Sequence, residues 1–417
     1  MAKQVEETLV LRKRHLPEEP SPGRRSRKVI PMTHGVDRIL TTHAGALPRP
    51  DDLAKMVFAR GKGEAHDKAL VQQRVREETK ASVARQVACG LDSVNDGEVG
   101  KTNFLYYVQE RVSGYEVKPD KPRPAGRKMS IIARDRVRFP KFFEKAGGWV
   151  ILNQPNIWCT GELKYIGAAA LAEDLAAFKD ALQGVNVTEA YLPAVTPGSI
   201  EHWLSNEYYP SDESFLFAIA DAMRPEYQAI VDAGFLLQID DPDLADGWQM
   251  YPDMSVADYR KYAELRVDAI NHGIRDIPRE KIRLHVCWGS NHGPHLNDIP
   301  LKDIVDIIFK VRAGSYSIEA SNPVHEHEWR VFKDAKLPEG TYLVPGVVGH
   351  CTDLIEHPEV VADRLVRYAE VVGRENVMAG TDCGLGPRIG EAEIAWAKLE
   401  ALVKGAELAS KRLWGRH

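Results

Sequence analysis

Apolar and polar positions follow a repeated order along the chain: a short apolar run, a turn and a long amphipathic stretch, beginning near residue 37. The short runs are rich in β-branched and aromatic residues, and they predict strands at 39–43, 91–95, 190–195, 235–240, 282–287, 316–319, 342–348 and 376–380. The long stretches predict helices at 67–89, 213–233, 255–273, 301–312 and 357–372. Strands that alternate with helices form βαβ units, in which the strands are parallel.

Eight such units predict an α/β fold, a closed (β/α)₈ barrel. A further strand candidate at 149–159, together with a Pro- and Arg-rich stretch at 118–140, raises the strand count to nine. We assign this extra piece to an insertion around 118–160 that leaves the barrel. The pattern therefore predicts a single barrel over 35–417.

Residues 1–34 differ in composition from the rest of the chain. They carry two basic clusters, at 12–14 and 24–28, separated by a segment of Pro, Glu and Ser with little to bury. Such a segment stays solvated. We expect an extended arm, either free in solvent or clasping a second copy of the chain in a homodimer, rather than a nucleic-acid-binding or targeting segment.

The overall composition excludes several classes of protein. With 417 residues, 44% of them hydrophobic, and a net charge of −5, the chain has a large core and no electrostatic reason to bind nucleic acid or an anionic membrane. It contains no apolar run long enough to span a membrane and no secretory signal. Five cysteines are a sparse, odd set that favours a reduced, cytoplasmic setting, where a special cysteine is a ligand or a nucleophile.

Unusual polar residues gather at the C-terminal ends of the predicted strands. Six strand ends read Thr-Thr-His-Ala-Gly-Ala-Leu-Pro-Arg (41–49), Asn-Asp-Gly-Glu (95–98), Gln-Ile-Asp-Asp-Pro (238–242), His-Val-Cys-Trp-Gly (285–289), Ile-Glu-Ala-Ser-Asn (318–322) and Gly-Thr-Asp-Cys-Gly-Leu-Gly (380–386). Barrel enzymes assemble their active sites at this face. We therefore expect one shared cavity there.

Three of these residues predict a metal site. His285 and Cys287 are two positions apart in a strand, so their side chains point to the same side. Cys383, at another strand end, can meet them across the barrel mouth. One imidazole and two thiolates suit Zn²⁺, and three protein ligands leave a coordination position for a substrate. Glu319 is either a fourth, displaceable ligand or an acceptor that orients His285.

The ligand type favours thiol chemistry. A free thiol has a pKa of about 8.5, and coordination to zinc deprotonates it. Two anionic sulfur ligands keep a further bound thiolate nucleophilic, whereas a site of three histidines favours hydroxide. The sequence therefore predicts alkylation of a substrate thiol rather than hydrolysis.

Other polar residues at the same face are substrate-binding or acid–base candidates. Asp240 and Glu98 are favoured for binding a substrate, with Lys101 as their counter-ion, although helix capping or acid–base catalysis also fits these residue types. His350 is a candidate proton donor to the leaving group. Trp288, like Trp203 and Tyr208, either contacts a flat donor or packs in the core.

The motifs together resemble one family. The chain from about 38 to 400 is similar to the catalytic barrel of cobalamin-independent methionine synthase and its short relatives, which include epoxyalkane:coenzyme M transferases. The shared pattern, in order, is Thr-Thr-x-x-Gly-x-x-Pro (41–48), Gly-Glu-x-x-Lys (97–101), Gln-Ile-Asp-x-Pro (238–242), His-x-Cys (285–287), Ile-Glu-x-Ser (318–321), Pro-Gly-Val (345–347) and Asp-Cys-Gly-Leu (382–385).

The resemblance implies a barrel of the uroporphyrinogen decarboxylase and methionine synthase type. It implies that the zinc ligands are His285, Cys287, Glu319 and Cys383. It also places Glu98 and Asp240 on the ammonium of an amino-acid substrate, and the main chain at 44–46, with Gly45 and Ala46, on its carboxylate.

The chain departs from the family in three places. Ala46 stands where the synthase has Ser, and His350 lies one position away from the family's histidine in a gapless comparison. The chain has no room for the synthase's N-terminal barrel, which helps to bind folate. The donor, a methylated folate or another alkyl compound, and the thiol acceptor therefore stay open.

The sequence thus predicts a zinc-dependent alkyltransferase, most simply a methyltransferase that acts on a thiol. Three alternatives remain open: opening of an epoxide by a thiol of the coenzyme M type, a metal-free decarboxylase on the same barrel, and a zinc storage or delivery protein.

Overall fold

Strands and helices alternate as the sequence pattern predicts. The computed structural model describes residues 35, 37–122, 132–145, 156–386 and 388–415. Its strands are β1 (Leu40–Thr41), β2 (Ser93–Val94), β3 (Val112–Val117), β4 (Ile157–Tyr165), β5 (Glu189–Val195), β6 (Ser205–Asn206), β7 (Leu236–Asp240), β8 (Ile282–Val286), β9 (Ser315–Glu319), β10 (Tyr342–Val348) and β11 (Met378–Thr381).

The α-helices lie mainly between these strands. They are α1 (Asp51–Gly61), α2 (Lys68–Cys89), α3 (Ala133–Arg138), α4 (Pro140–Lys145), α5 (Ala168–Ala181), α6 (Pro197–Trp203), α7 (Asp212–Asp232), α8 (Asp243–Met250), α9 (Val256–Gly273), α10 (Val305–Ile308), α11 (Pro358–Val372) and α12 (Ala392–Trp414). Local signals set several ends: Asp67 caps α2, a capping box at Ser211 begins α7, and Gly90, with φ of 92°, ends α2.

Eight parallel strands form the barrel sheet in the order β1-β11-β10-β9-β8-β7-β5-β2. The two outer strands of this order are joined at their ends, because Asp92 N donates to Thr41 O (3.1 Å) and Thr41 N donates to the Asp92 carboxylate (2.9 Å). Arg38 holds the same carboxylate in an ion pair (2.6 Å). The predicted (β/α)₈ barrel is confirmed, and all eight strands assigned to it from the sequence lie in it.

The predicted insertion also lies outside the barrel sheet. β3 is antiparallel to β4, and β4 is parallel to β6, in a separate three-stranded sheet. The strand candidate at 149–159 overlaps β4 at its C-terminal end, and its first part lies outside the described residues. The proposed arm, 1–34, lies outside them as well, so that assignment, the domain boundary beside it and the homodimer stay predictions.

One predicted helix is much shorter than expected. The stretch 301–312 forms a 3₁₀ turn at Leu301–Asp303 and the short helix α10. The chain must turn back at once to enter β9, and successive turns at Lys310, Val311 and Ala313 bring it there. Among the described residues, no helix has the length and hydropathy needed to cross a membrane.

The barrel interior is polar below the predicted site. Arg283 in β8 is fully buried and pairs with Glu189 (3.2 Å), while its guanidinium lies 4.7 Å from the ring centre of Tyr191. Alternate residues of β8 therefore point into the barrel, and His285 follows Arg283 on this side. The intervening Leu284 belongs to the surrounding apolar core.

Replacement of Gly405 by Ala tests the close packing of α12 on α11. A Cβ atom at Gly405 lies 2.3 Å from Val361 Cγ1 and 3.0 Å from Pro358 O. Gly→Ala in a helix ordinarily stabilises by about 0.5–1 kcal/mol, but overpacking costs roughly 1–3 kcal/mol. We expect Gly405→Ala to lower the urea midpoint, while Lys404→Ala, at an exposed position, leaves it unchanged. An equally stable Gly405→Ala protein contradicts the packing.

Candidate active site and metal centre

His285, Cys287 and Cys383 meet at the C-terminal mouth of the barrel. His285 lies in β8, Cys287 directly follows that strand, and Cys383 lies two residues after β11. One ligand atom from each residue lies within 4.8 Å of the other two. β9 and β10 separate β8 from β11 in the sheet, so this meeting depends on the curvature of the barrel.

The distances and free atoms of this cluster fit a zinc ion. The two sulfur atoms are 4.0 Å apart, close to the edge of about 3.8 Å that a tetrahedron with Zn–S bonds of about 2.3 Å has. His285 Nδ1 contacts Ser317 Oγ (3.1 Å), whereas its Nε2 is buried and has no hydrogen-bond partner among the described residues. Nε2 is therefore the ring atom free to bind a cation.

A hydrogen bond joins the sulfur atoms of Cys287 and Cys383. The hydrogen bond from Cys287 lowers the pKa of Cys383 far below its usual value, against the effect of burial, and His285 lowers it further. The same hydrogen bond and burial raise the pKa of Cys287. Burial lowers the pKa of His285, but the Cys383 sulfur outweighs this effect and raises it. Without a metal, one thiolate is thus stabilised beside one thiol.

Glu319, the last residue of β9, has both carboxylate oxygens engaged. Oε2 accepts from Trp288 N (2.7 Å) and Oε1 from Asn322 Nδ2 (3.0 Å). The alternative in which Glu319 orients His285 is wrong, because Ser317 contacts Nδ1 and Nε2 has no partner in the described part of the chain. Glu319 is 3% exposed, so it stays close to the mouth whether or not it binds metal.

A second cluster of polar groups borders the first. Glu319, His350 and Asp382 each offer one ligand atom within 4.8 Å of the other two. His350 Nε2 is 3.0 Å from Ser290 Oγ and 3.3 Å from Cys351 Sγ. His350 is 1% exposed, and its Nδ1 has no hydrogen-bond partner within the described ranges.

Asp382 is a polar site residue whose role was not predicted. It accepts hydrogen bonds from Ala320 N (2.8 Å), Ser321 N (2.9 Å) and Ser321 Oγ (2.5 Å), and so joins the loops after β9 and β11. Burial, and next the charge of Glu319, raise its pKa to about 8. Its place beside Cys383 in the Asp-Cys-Gly-Leu motif was the available signal.

Glu98, Asp240 and Lys101 form a buried, mainly acidic cluster, the acidic pocket. Glu98 has φ of 51°, is 4% exposed, and leaves Oε1 without a partner in the described structure. Lys101 Nζ lies 3.7 Å from Glu98 Oε2 and donates to Pro193 O (2.6 Å). Buried Asp96 adds a further carboxyl, so carboxyls outnumber the one lysine. The pocket suits a cationic group.

Asp240 is electrostatically linked to the other site residues. Its Oδ1 accepts from Gln238 Nε2 (2.9 Å). Burial raises the pKa of Asp240 to about 7; the charge of His285 opposes this shift, and the charge of Glu98 adds to it. Asp240 and His285 are register partners in neighbouring strands, which places the acidic pocket beside the sulfur cluster.

Gly45 and Ala46 line the same pocket. Gly45, with φ of 66°, is so close to Glu98 that an added Cβ would lie 3.4 Å from Oε1. Ala46 O accepts from Gly386 N (2.9 Å), and Leu47 N donates to Gly97 O (3.0 Å). The 45–47 segment therefore joins the loops after β2 and β11, as the prediction of a shared cavity requires.

Trp288 supports the site from beneath. Its side chain is 1% exposed, its indole N–H donates to Ile299 O (2.8 Å), and its ring stacks on His325 with 4.0 Å between centroids. This arrangement fits the packing alternative. Trp203 is also buried, and Tyr208 is exposed.

Two features near Trp288 were missed. His295 Nδ1 (2.6 Å) and His325 Nε2 (3.2 Å) both contact Asp298 Oδ2, although neither histidine was assigned a partner from the sequence. Asp246 is buried next to Gly289, whose added Cβ would lie 2.6 Å from its Oδ2. Burial, and next the charge of Asp243, raise the pKa of Asp246 well above its usual value. Spacing along the chain gave no signal for either feature.

Comparisons with known proteins agree with this fold and site. Residues 197–408, just over half of the chain, match the family model described as the catalytic domain of cobalamin-independent synthase. The chain is 25% identical over 378 residues to the methionine synthase of Thermococcus kodakarensis, which covers 89% of this chain and 94% of the relative. The methionine synthase of Pyrococcus horikoshii is 25% identical over 374 residues, 89% of this chain and 93% of the relative.

Among solved structures, the chain is similar to a B12-independent methionine synthase from a Shewanella species in complex with selenomethionine. The TM-score is 0.68 at 19% identity, over 91% of this chain and 99% of that one, which supports the fold. The chain belongs to the cobalamin-independent synthase family and, as the sequence predicted, is an enzyme of the methyltransferase class.

Proposed function

We propose that this enzyme transfers a methyl group to the sulfur of an amino thiol, homocysteine, held at the mouth of the barrel. One observation carries the proposal: the ligand atoms of His285, Cys287 and Cys383 lie within 4.8 Å of one another beside an acidic pocket. The family match and the methionine synthase relatives support the same reaction.

The three residues would hold Zn²⁺, through His285 Nε2 and the two sulfur atoms. Zn²⁺ bound there would lower the pKa of a coordinated substrate thiol and hold its sulfur for attack on the donor. Ser317, through Nδ1, fixes the ring of His285 so that Nε2 faces the sulfur atoms. Glu319 stays the candidate fourth ligand, since it borders the cluster and could be displaced by the thiol.

The acidic pocket would orient the acceptor. Glu98 Oε1 has no partner among the described groups, and Asp240 lies in register with His285, so an ammonium between them places a neighbouring thiol at the sulfur cluster. The main chain of Gly45 and Ala46 would receive the carboxylate.

The reaction forms one S–C bond and breaks one bond between the methyl carbon and the donor. The thiol loses its proton, and the departing donor atom gains one. His350 is the proposed proton donor, because it is buried at the mouth and its Nδ1 makes no hydrogen bond within the described structure. Asp246, whose pKa burial raises well above its usual value, is a second buried carboxyl, beside Gly289.

Mass spectrometry of thiol products tests the proposed reaction. We expect zinc-loaded enzyme to methylate homocysteine with a methylated folate or a simpler methyl donor, and to methylate 4-mercaptobutyrate, which lacks the ammonium, roughly tenfold or more less efficiently. Glu98→Gln should shrink this discrimination. Equal rates for both thiols would contradict the ammonium pocket. Alkylation only by epoxides, and only of a sulfonated thiol, would overturn the proposal in favour of epoxide opening.

Metal analysis tests the three ligands. We expect Cys383→Ser and His285→Ala to lose most bound zinc and methyl transfer, while circular dichroism reports a folded chain. Cys89→Ser is the matched control, because Cys89 is a half-buried thiol in α2, away from the mouth. Retention of one zinc per chain by either ligand variant would refute the assignment.

The pH dependence of acceptor binding tests Asp240. Its pKa of about 7, raised by burial, means that the carboxylate is charged above pH 7 and becomes neutral below it. We expect kcat/KM for homocysteine to fall by up to about tenfold per pH unit below pH 7, since only the anion pairs with an ammonium. Asp240→Asn should have a lower kcat/KM that is flat between pH 6 and 8. The same slope in both proteins would assign the titration to another group.

A further inference from the structure

Arg388 lies near the active site and has no ion-pair partner among the described residues. It lies half-buried in the loop between Cys383 and α12. Its Nε is buried and makes no hydrogen bond in the described structure. None of its nitrogen atoms is within 4.0 Å of a carboxylate oxygen of the described residues; by contrast, Arg364, on the neighbouring α11, pairs with Glu326 (3.1 Å). A guanidinium is always charged, and leaving one of its donors buried without an acceptor is costly.

The position of Arg388 is fixed by its electrostatic neighbours. Burial raises the pKa of Cys351, and the charge of Arg388 partly opposes that shift. Burial, and then the charges of Arg388 and His350, lower the pKa of His292. Cys351 Sγ in turn contacts His350 Nε2 at 3.3 Å. Arg388, in the loop that follows Cys383, therefore lies within electrostatic reach of Cys351 and His292, which adjoin His350.

Arg388 brings a positive charge to a side of the mouth where the charges of Glu319 and Asp382 also act on Cys351. Glu98 follows β2, and Asp240 is the last residue of β7. Both carboxylates suit the cationic group of the acceptor. Arg388 follows β11 and offers two parallel N–H groups, the geometry that binds carboxylate, phosphate or sulfonate. The acceptor's own carboxylate is already assigned to the main chain at 45–46, so an anion at Arg388 belongs to the second substrate.

We propose that Arg388 binds an anionic group of the alkyl donor, a carboxylate, phosphate or sulfonate, and thereby places the donor between His350 and the sulfur cluster. This inference rests on the proposed function for the identity of the second substrate. Asp353 is the carboxylate that would compete with an external anion for Arg388. Its charge also acts on His292, and its side chain accepts a hydrogen bond from Gly390 N (2.8 Å). Asp353 is not within ion-pair distance of Arg388, and its own charge repels an anion.

Anion titrations of the full-length, zinc-loaded protein test the site without turnover. Sulfate, phosphate, acetate and methanesulfonate are titrated by calorimetry into wild type, Arg388→Gln, Arg388→Lys and Arg367→Gln. Arg367 is an exposed arginine on α11, and its substitution controls for the loss of one positive charge. We expect at least one anion to bind wild type, with about tenfold or greater loss in Arg388→Gln, a smaller loss in Arg388→Lys and none in Arg367→Gln.

The Asp353→Asn variant distinguishes two roles of Arg388: binding an external anion and balancing the charge of Asp353. If Arg388 binds an external anion, removing the charge of Asp353 strengthens binding; if Arg388 serves only to balance Asp353, the variant behaves like Arg388→Gln. Saturating homocysteine should leave anion affinity unchanged, whereas competition assigns the site to the acceptor and overturns the donor assignment. Equal anion affinity in wild type and Arg388→Gln, or no binding to either, also overturns it. Because these measurements need no methyl transfer, a failure of the proposed reaction is seen separately.

Discussion

Closure of the parallel barrel is the constraint on which the site depends. His285 and Cys383 are far apart in the chain and lie on strands that two others separate. Their ligand atoms approach only because the sheet curves until its outer strands meet. That meeting is made by a hydrogen bond from Asp92 N to Thr41 O and by the Asp92 carboxylate, which Arg38 pairs with. These contacts lie at the first two strands, whose C-terminal loops carry Gly45 and Glu98.

Burial controls the electrostatics of the mouth. Charged groups that are removed from water need hydrogen bonds or opposite charges, and the site has more acidic groups than groups of opposite charge. The hydrogen bond from Cys287 lowers the pKa of Cys383, burial raises the pKa values of Asp240 and Asp382, and Glu98 has Lys101 at 3.7 Å. Under the proposed function, a divalent cation at the sulfur atoms and an ammonium at the acidic pocket would each supply the opposite charge.

Hydrogen bonds from main-chain N–H groups of one loop to carboxylates of another hold the side chains of the site in place. Asp382 accepts from two N–H groups of the loop after β9, and Glu319 accepts from Trp288 N. Behind the loop that carries His350, buried Lys398 pairs with Glu356 (2.9 Å), whose other oxygen accepts from Gly349 N (2.8 Å). Loops tied to one another in this way position reacting groups more accurately than free loops do.

The sequence by itself predicted the eight barrel strands, four of the long helices between them and the residues that form the sulfur cluster. These follow from local rules: the two-residue repeat of strands, the amphipathic repeat of helices, and the position of polar residues at strand ends. Only the tertiary structure decided which atoms meet. Ser317, not Glu319, contacts His285; Trp288 packs on His325; and Asp382 joins two loops. Arg388 Nε has no hydrogen-bond partner in the described part of the chain. Such contacts join residues from different loops, and their distances depend on the curvature of the whole barrel, which no local pattern records.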